Sequence, residues 1–326
     1  MTEAPIALSL GDPAGVGPEI IAGAWRILRN TGPVFAVVGD AASLRRAGAP
    51  ALPIQALTQA SACFADKLPV IDQPLGQAVS PGAPDLAAAA AIIAWIETAA
   101  TFALSGEAGA VVTGPIAKAL LYDAGFRFAG HTEFLAELTG GATPVMMLTA
   151  GGLRCSLVTI HEPISKISGI LSPQAILAAG LTTYAALKQD FAIDHPRLAV
   201  AALNPHAGES GALGDEEARI IRPAIDLLRA AGVSASGPHP ADTLFHADAR
   251  DRYDAALCMY HDQALIPVKM LDFWSGVNVT LGLPIVRTSP DHGVAYDLAG
   301  KGVARPDSLV AALRLAAEIA ARRACL

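Results

Sequence analysis

The sequence predicts an α/β fold with a largely parallel sheet covered by helices on both faces. Short apolar runs rich in β-branched residues alternate along the chain with longer segments of helical periodicity. This alternation is typical of βαβ units, whose crossover helices cover both faces of a parallel sheet. The 326 residues suffice for one large domain or two ordinary ones, and the 52% hydrophobic content excludes a disordered chain.

Each predicted strand is a short apolar run that ends at a turn signal or a polar residue. The strands are predicted at residues 6–10, 34–38, 110–112, 145–148, 156–160, 198–203 and 255–259. The first helix should begin near Pro18, because proline is favoured at the first helical position. The other main helices are predicted at residues 85–104, 173–188, 215–231 and 306–322.

Composition and charge exclude several classes of protein. The net charge is −7 and no run of Lys or Arg occurs, which argues against a nucleic-acid partner. Residues 86–104 are apolar over a length that could cross a bilayer. Glu97 interrupts this segment and alanine dominates it, so we expect a buried helix and no membrane partner.

The cysteines and the N-terminus predict a cytoplasmic protein. The cysteines are far apart and form no CxxC pair, so we expect buried free thiols in a reducing compartment. Residues 1–5 are acidic and lead directly into a strand, with no pattern of a signal peptide.

Three histidines lie within three residues of the ends of predicted strands: His161, His206 and His261. In parallel sheets ligands bind beyond the carboxyl ends of the strands, so these side chains could meet in one site. Three neutral imidazoles suit zinc, cobalt, nickel or iron(II) better than magnesium alone, and three protein ligands leave open positions for a substrate. The spacing is too wide for a local chelate, so three separately hydrogen-bonded histidines remain the alternative.

Several other polar motifs allow two interpretations. Residues 11–19 form a glycine-rich turn that could present N–H groups to a phosphate or could simply be tight; they match neither GxGxxG nor a Walker loop. Lys118, after a strand, could bind an anion or be a surface charge. Lys269, Asn278 and Arg287 could clamp a phosphate or carboxylate, or form structural ion pairs.

Taken together, the motifs resemble the 4-hydroxythreonine-4-phosphate dehydrogenase family. The resemblance runs in order from about residue 6 to residue 300 or beyond. It is carried by Gly-Asp-Pro-Ala-Gly-Val-Gly-Pro-Glu at 11–19, Thr-Gly-Pro-Ile at 113–116, Gly-His-Thr-Glu at 130–133, Leu-Asn-Pro-His-Ala-Gly-Glu at 203–209, Asp-Thr-Leu-Phe at 242–245, Met-Tyr-His-Asp-Gln at 259–263, Val-Asn-Val-Thr-Leu-Gly-Leu-Pro at 277–284 and Arg-Thr-Ser at 287–289.

The resemblance implies an NAD- or NADP-dependent oxidation of 4-phosphooxy-threonine, followed by decarboxylation to 3-amino-2-oxopropyl phosphate in pyridoxal 5′-phosphate biosynthesis. It implies a divalent metal, with zinc favoured over cobalt or magnesium, and a homodimer whose active site lies at the subunit interface. The implied metal ligands are His161, His206 and His261, one of them from the partner subunit. The implied substrate contacts are His131, Thr132, Lys269, Asn278 and Arg287.

The family also resembles the isocitrate and isopropylmalate dehydrogenases in fold, which implies two α/β/α domains with a cleft between them. Residues 1–125 with 280–326 would form a discontinuous cofactor-side domain, and residues 126–279 a metal- and substrate-binding, dimerising domain. The loop 292–302 resembles their adenosine-binding loop, and its implied cofactor-binding residues are His292, Gly293, Asp297 and Gly300. Pro290 and Val294 depart from the family pattern and leave the choice between NAD and NADP open.

The hypothesis for the mechanism assigns catalytic roles to His206 as a metal ligand, to Lys269 with Arg287 on the phosphate, and to Asp242 as a partner of a ligand histidine. The first alternative is a related dehydrogenase acting on threonate or erythronate 4-phosphate or on a dihydrodiol dicarboxylate. Others are a metal-dependent hydrolase or lyase without nicotinamide, and a non-catalytic protein that binds a phosphorylated metabolite.

Overall fold

The computed structural model of the chain describes residues 4–128, 130–141 and 143–325. The chain divides into two compact units. The first comprises Met1–Thr143 and Leu283–Leu326, and the second comprises Pro144–Gly282. Each unit alternates strands and helices, so the predicted α/β class is confirmed.

The first unit is built on a parallel sheet. Its strands are β1 (Ile6–Ser9), β2 (Phe35–Gly39), β3 (Ala51–Ile54), β4 (Leu68–Asp72), β5 (Ala110–Thr113) and β12 (Arg287–Pro290). Their order is β3-β4-β2-β1-β5-β12, and each neighbouring pair is parallel. Its helices are α1 (Gly17–Leu28), α2 (Ala41–Arg46), α3 (Ala60–Cys63), α4 (Ala89–Leu104), α5 (Lys118–Asp123), α6 (His131–Leu138) and α13 (Asp307–Arg323).

Helices cover both faces of this sheet. Every residue of β1, β2 and β5 is buried, and since successive side chains of a strand point to opposite faces, both faces are shielded from water. Helix α4 packs against β1 and β2, while α13 packs against β5 and β12. The long apolar segment Leu86–Leu104 contains α4 and is the candidate membrane span found by length and hydropathy among the described residues. Its buried face includes Trp95 and Ile96, as expected of a core helix.

The second unit has a mixed sheet. Its strands are β6 (Val145–Ala150), β7 (Leu153–Leu157), β8 (Arg197–Ala201), β9 (Ser234–His239), β10 (Ala255–Cys258) and β11 (Val277–Leu281), in the order β11-β6-β7-β10-β8-β9. Its helices are α7 (Ile167–Ile170), α8 (Pro173–Gln189), α9 (Arg222–Ala230), α10 (Ala241–Leu244), α11 (Ala247–Arg250) and α12 (His261–Leu271). Strand β6 runs antiparallel to β7 and to β11, while β7, β10, β8 and β9 are mutually parallel.

Several strands were not predicted from the sequence, for identifiable reasons. Strands β3 and β9 contain Pro53 and Pro238, which the strand signal disfavours and which edge positions tolerate. Strand β12 is fully buried but contains Arg287, and a charged residue in the sequence favours a loop over a buried strand. The strand predicted at 156–160 begins earlier, at Leu153, because a two-glycine turn at 151–152 pairs it with β6.

The cysteine prediction is confirmed only in part. All four cysteines are free thiols, and Cys155 and Cys258 are buried in the core of the second unit. Cys325 is exposed and Cys63 is partly exposed, so the expectation of general burial is wrong for these two.

Candidate active site

Three parallel strands of the second unit end at one edge of the sheet. Strand β10 pairs with β7 on one side and with β8 on the other, so their carboxyl ends lie together. Side chains tie these ends to one another: Thr159 Oγ1 donates to the Met259 carbonyl at 2.7 Å. Gln263 accepts from the Met259 N–H at 2.7 Å and donates to the Ala202 carbonyl at 2.6 Å. The chain segments that carry the three predicted ligand histidines therefore start from linked positions.

The structure brings two of those histidines together. The ring centroids of His161 and His261 are 5.8 Å apart, with the rings tilted by 41°. Both line a cavity of about 250 Å³ that also contacts Glu162 and Tyr260. His261 Nδ1 lies 2.7 Å from a carboxylate oxygen of Asp262, and a hydrogen bond there leaves Nε2 as the nitrogen able to bind a metal.

The third histidine lies on an unusual turn. His206 is exposed, and five successive residues from His206 to Ser210 have φ between +42° and +81°. Only one of the five is glycine, although left-handed backbone disfavours residues that carry a Cβ. Non-glycine residues hold such angles where the surrounding structure fixes them, and such strain occurs often at functional sites.

A buried carboxylate fixes this turn. Glu217 is 3% exposed and accepts hydrogen bonds from the backbone N–H groups of Leu203 at 2.9 Å and Asn204 at 2.7 Å. A Cβ on Gly208 would lie 2.7 Å from Glu217 Oε2, so the turn packs directly on the carboxylate. The sequence places Glu217 among acidic residues at a helix start and gives no local sign of this role, which depends on contacts 13 and 14 residues away.

The chemistry of the two imidazoles that share a cavity fits a divalent metal. Among the described residues, no group of three His, Cys, Asp or Glu side chains is arranged to hold a metal ion. His161 and His261 offer two imidazoles in one cavity, and His206 does not line that cavity. The predicted set of three ligands stays a prediction.

The other predicted residues of the second unit lie at separate places. Asp242 is exposed on α10, which packs against the turn that carries His206. Lys269 is partly buried on α12, with Nζ 5.7 Å from the centre of the Phe273 ring. Asn278 lies on β11, and its Oδ1 is buried with no hydrogen-bond partner in the part of the chain that is described.

In the first unit, His131 and Arg287 lie in one electrostatic environment. Arg287 is 3% exposed and donates to Thr113 Oγ1 at 2.7 Å. Burial lowers the pKa of its guanidinium to about 10, against the opposing effect of Glu133. Burial and, after it, the charge of Arg287 lower the pKa of His131 well below its ordinary value. His131 is therefore neutral at physiological pH. It begins α6, whose second residue, Thr132, is buried.

The two glycine-bearing loops of the first unit meet. The Val16 N–H donates to the Val294 carbonyl at 2.9 Å, and Tyr296 donates to a carboxylate oxygen of Asp12 at 2.5 Å. Burial is the main cause of the raised pKa of Tyr296, and the bond to Asp12 adds to it, so the phenol stays protonated. The Glu19 carboxylate accepts from the backbone N–H groups of Gly300 and, at 3.1 Å, Gly302.

These contacts decide between the two interpretations of the turn at 11–19. The N–H groups of Ala14 and Gly15 donate to Asp12, at 2.9 Å and 3.1 Å, so the donors that a phosphate would need are already used. The structure thus supports the tight turn. A cavity of about 200 Å³ lies beside it, lined by residues that include Glu19, Arg46 and Gly300.

The predicted cofactor-binding residues of the loop 292–302 are accessible to solvent. His292, Gly293, Asp297 and Gly300 are all exposed, and His292 Nδ1 lies 3.0 Å from the Gly293 carbonyl oxygen. The loop combines a scaffold fixed by Glu19 with an exposed edge of polar groups.

Comparison with known proteins identifies the family. A family model described as pyridoxal phosphate biosynthetic protein PdxA matches residues 32–316. The chain belongs to the PdxA family.

Members of this family are similar to the chain over its whole length. The 4-hydroxythreonine-4-phosphate dehydrogenase of Caulobacter vibrioides is 62% identical, with 99% of each chain covered. The crystal structure of the enzyme of that name from Klebsiella pneumoniae matches with a TM-score of 0.86 at 38% identity, covering 98% of this chain and 100% of the other. The structure of a terephthalate 1,2-cis-dihydrodiol dehydrogenase from Burkholderia xenovorans matches with a TM-score of 0.65 at 29% identity, covering 97% of this chain and 98% of the other.

Proposed function

We propose that the protein is a 4-hydroxythreonine-4-phosphate dehydrogenase that oxidises 4-phosphooxy-L-threonine to 2-amino-3-oxo-4-phosphooxybutanoate. This β-keto acid then loses CO2 to give 3-amino-2-oxopropyl phosphate, within pyridoxal 5′-phosphate biosynthesis. The observation that carries the proposal is the pair of imidazoles, His161 and His261, at the carboxyl edge of a PdxA-family sheet. The name and the 62% identity of the Caulobacter relative support the substrate.

The proposed metal ligands are His161, His206 and His261, and zinc is the ion that three imidazoles suit best, ahead of cobalt and magnesium. When bound, the metal would lower the pKa of the substrate hydroxyl and polarise the carbonyl, while NAD or NADP would accept the hydride. Asp262 orients His261 through Nδ1, and Asp242 is placed on the element that packs against the His206 turn.

The proposed substrate-binding residues are His131, Thr132, Lys269, Asn278 and Arg287. The neutral imidazole of His131 donates to an anionic substrate oxygen without changing its own charge, because its pKa lies well below its ordinary value. Arg287 is held by Thr113 with its guanidinium already desolvated, so it is organised for a phosphate before the substrate arrives.

The proposed nicotinamide side is the first unit, with His292, Gly293, Asp297 and Gly300 as cofactor-binding residues. The second unit then carries the metal and the dimer contact. The support for the cofactor loop is the carboxylate of Glu19, which fixes the backbone of Gly300 and Gly302 and leaves the neighbouring polar edge exposed.

We propose a homodimer in which a second copy of the chain completes the metal site. Ile266 and Met270, one helical turn apart on α12, are 66% and 74% exposed, and the following Phe273 and Trp274 are 63% and 50% exposed. So many large apolar side chains on one segment indicate a surface that a partner covers. The free cysteines fit an enzyme of the reducing cytoplasm.

A substrate panel tests the function. Purified protein loaded with zinc is given NAD or NADP with 4-phosphooxy-threonine, with threonate and erythronate 4-phosphates and with a cis-dihydrodiol dicarboxylate, and the formation of reduced nicotinamide is followed by absorbance. We expect the highest kcat/KM with 4-phosphooxy-threonine. The dihydrodiol is included because the Burkholderia structure of that activity shares the fold at 29% identity. A higher kcat/KM for any other substrate would overturn the assignment.

A further inference from the structure

Lys118 lies where the strand β5 loop leads into α5, at the side of the first turn of α6. Its side chain is partly buried, and its Nζ lies 3.2 Å from the position that a Cβ on Gly130 would occupy. Gly130 directly precedes His131, the first residue of α6. The ammonium group therefore sits beside the start of this helix and is held by the protein, in contrast to a freely solvated surface charge.

Two cations act on the same imidazole. Burial is the largest cause of the lowered pKa of His131, and the charges of Arg287 and Lys118 both add to it. The carboxylate nearby is Glu133, whose Oε2 lies 3.6 Å from the same Cβ position at residue 130. Glu133 acts on Arg287 as well, which places Lys118, Arg287 and Glu133 around one histidine.

The histidine has an unused polar atom. His131 Nε2 is buried and has no hydrogen-bond partner among the residues that the structure describes. A buried polar nitrogen without a partner costs free energy unless a ligand satisfies it. The positive end of the α6 dipole and the two nearby cations all favour an anion at this position.

We propose that Lys118 is a further substrate-binding residue, which together with Arg287 binds the phosphate of the substrate beside His131 Nε2. The inference rests on the proposed function, because it deepens the substrate site given there. A phosphate at neutral pH is mostly a dianion, so it suits two cations and one neutral N–H donor better than a carboxylate does. Arg287 supplies the planar grip and Lys118 the point charge.

The experiment compares Lys118→Met, Lys118→Gln and Lys118→Arg in the zinc-loaded dimer. We expect the two neutral variants to raise the KM for 4-phosphooxy-threonine and the inhibition constant of inorganic phosphate by about tenfold each, the loss of one charge-assisted contact. The effect should fall mainly on KM, and Lys118→Arg should recover most of the loss. The neutral variants should fold, since a cation in the first turn of α5 opposes the helix dipole.

A second readout separates binding from a structural role. In protein free of phosphate, the pKa of His131, followed by NMR of its ring carbon, should rise in both neutral variants and stay low in Lys118→Arg. The remaining charged groups that act on or near the imidazole, Arg287 from β12 and Glu133 from α6, are unchanged in this series.

The outcomes distinguish the two levels of the proposal. An unchanged KM and phosphate inhibition constant in both neutral variants overturns the role of Lys118, and a raised KM in Arg287→Gln at the same time leaves the substrate site standing. If Arg287→Gln also leaves KM unchanged, the substrate site itself is wrong. A raised KM that Lys118→Arg does not recover, with an unchanged His131 pKa, also contradicts the proposal.

Discussion

The polar loops that follow the parallel strands are held in different ways in the two units. In the first unit, the turn at 11–17 approaches the loop that contains Val294 by close backbone contact, in addition to the hydrogen bonds of Asp12 and Glu19 to that loop. A Cβ on Gly15 would lie 2.7 Å from the Val294 carbonyl oxygen. In the second unit, the turn with His206 is held by a side chain, the buried carboxylate of Glu217.

The two turns therefore depend on different groups. A turn held by close backbone approach tolerates no added atom at the point of contact. A turn held by one carboxylate can keep non-glycine residues such as His206 in left-handed backbone, and it depends on that carboxylate. The first arrangement suits the binding of a large cofactor on a fixed surface, and the second suits the aiming of one ligand side chain.

The largest effect is expected from the histidines themselves. His161→Ala and His206→Ala should each lower metal-dependent activity by at least about a hundredfold, since each removes a direct ligand. If His161 and His206 of one site come from different subunits, mixing the two inactive variants restores one intact site in each mixed dimer. Statistical exchange would then recover about a quarter of the wild-type activity. No recovery after confirmed subunit exchange would place both histidines in one subunit and contradict a site in which the partner subunit supplies His206.

Glu217→Gln should weaken the turn that carries His206. The amide oxygen can keep the two backbone N–H bonds that Oε1 accepts, but the NH2 group then replaces the oxygen that accepts from the Asn204 side-chain amide and meets a donor there. We expect this to cost about 3 kcal/mol in the free energy of unfolding. Zinc affinity, measured by equilibrium dialysis against a chelator, should fall by about tenfold. Glu216→Gln is the matched control, because Glu216 contacts only the Asn204 side chain among the bonds observed here. Equal effects in the two variants would show that the buried carboxylate has no special role.

Gly15→Ala should break the backbone contact of the first unit. The added methyl meets the Val294 carbonyl oxygen at 2.7 Å, so we expect a loss of about 2 kcal/mol in the free energy of unfolding. NADH binding, followed by fluorescence, should weaken as the loop at 292–302 shifts. Gly169→Ala serves as the control, since an added Cβ there has no atom within 4 Å. Wild-type stability and NADH affinity in Gly15→Ala would refute the close-contact argument.

Tyr296→Phe should have the smallest effect of the series. It removes the hydrogen bond to the buried carboxylate of Asp12 and should cost about 1.5 kcal/mol. Chemical denaturation measures the loss, and Tyr122→Phe is the control because Tyr122 is exposed. A stability loss above that of Gly15→Ala would mean that side chains, and not backbone contact, hold this loop.

Much of the fold follows from local patterns in the sequence. The alternation of apolar runs and helical periods predicts β1, β2, β5, β6, β8 and β10 nearly at their observed bounds, because strand and helix periods depend on neighbouring residues. Strands β3 and β12 are among those that the sequence did not predict, because they contain proline or a buried arginine. A strand tolerates these residues only because of its position and neighbours in the sheet.

The α/β class, the family and the choice of the histidines as candidate site residues could all be predicted from local patterns, since they depend on composition, on hydrophobic period and on the residues of short motifs. Only the three-dimensional structure shows that His161 and His261 share a cavity and that Glu217 holds the His206 turn. It also shows that the charge of Lys118 contributes to the lowered pKa of His131. These are contacts between residues distant in sequence, and their energies depend on burial and distance, which no local pattern records.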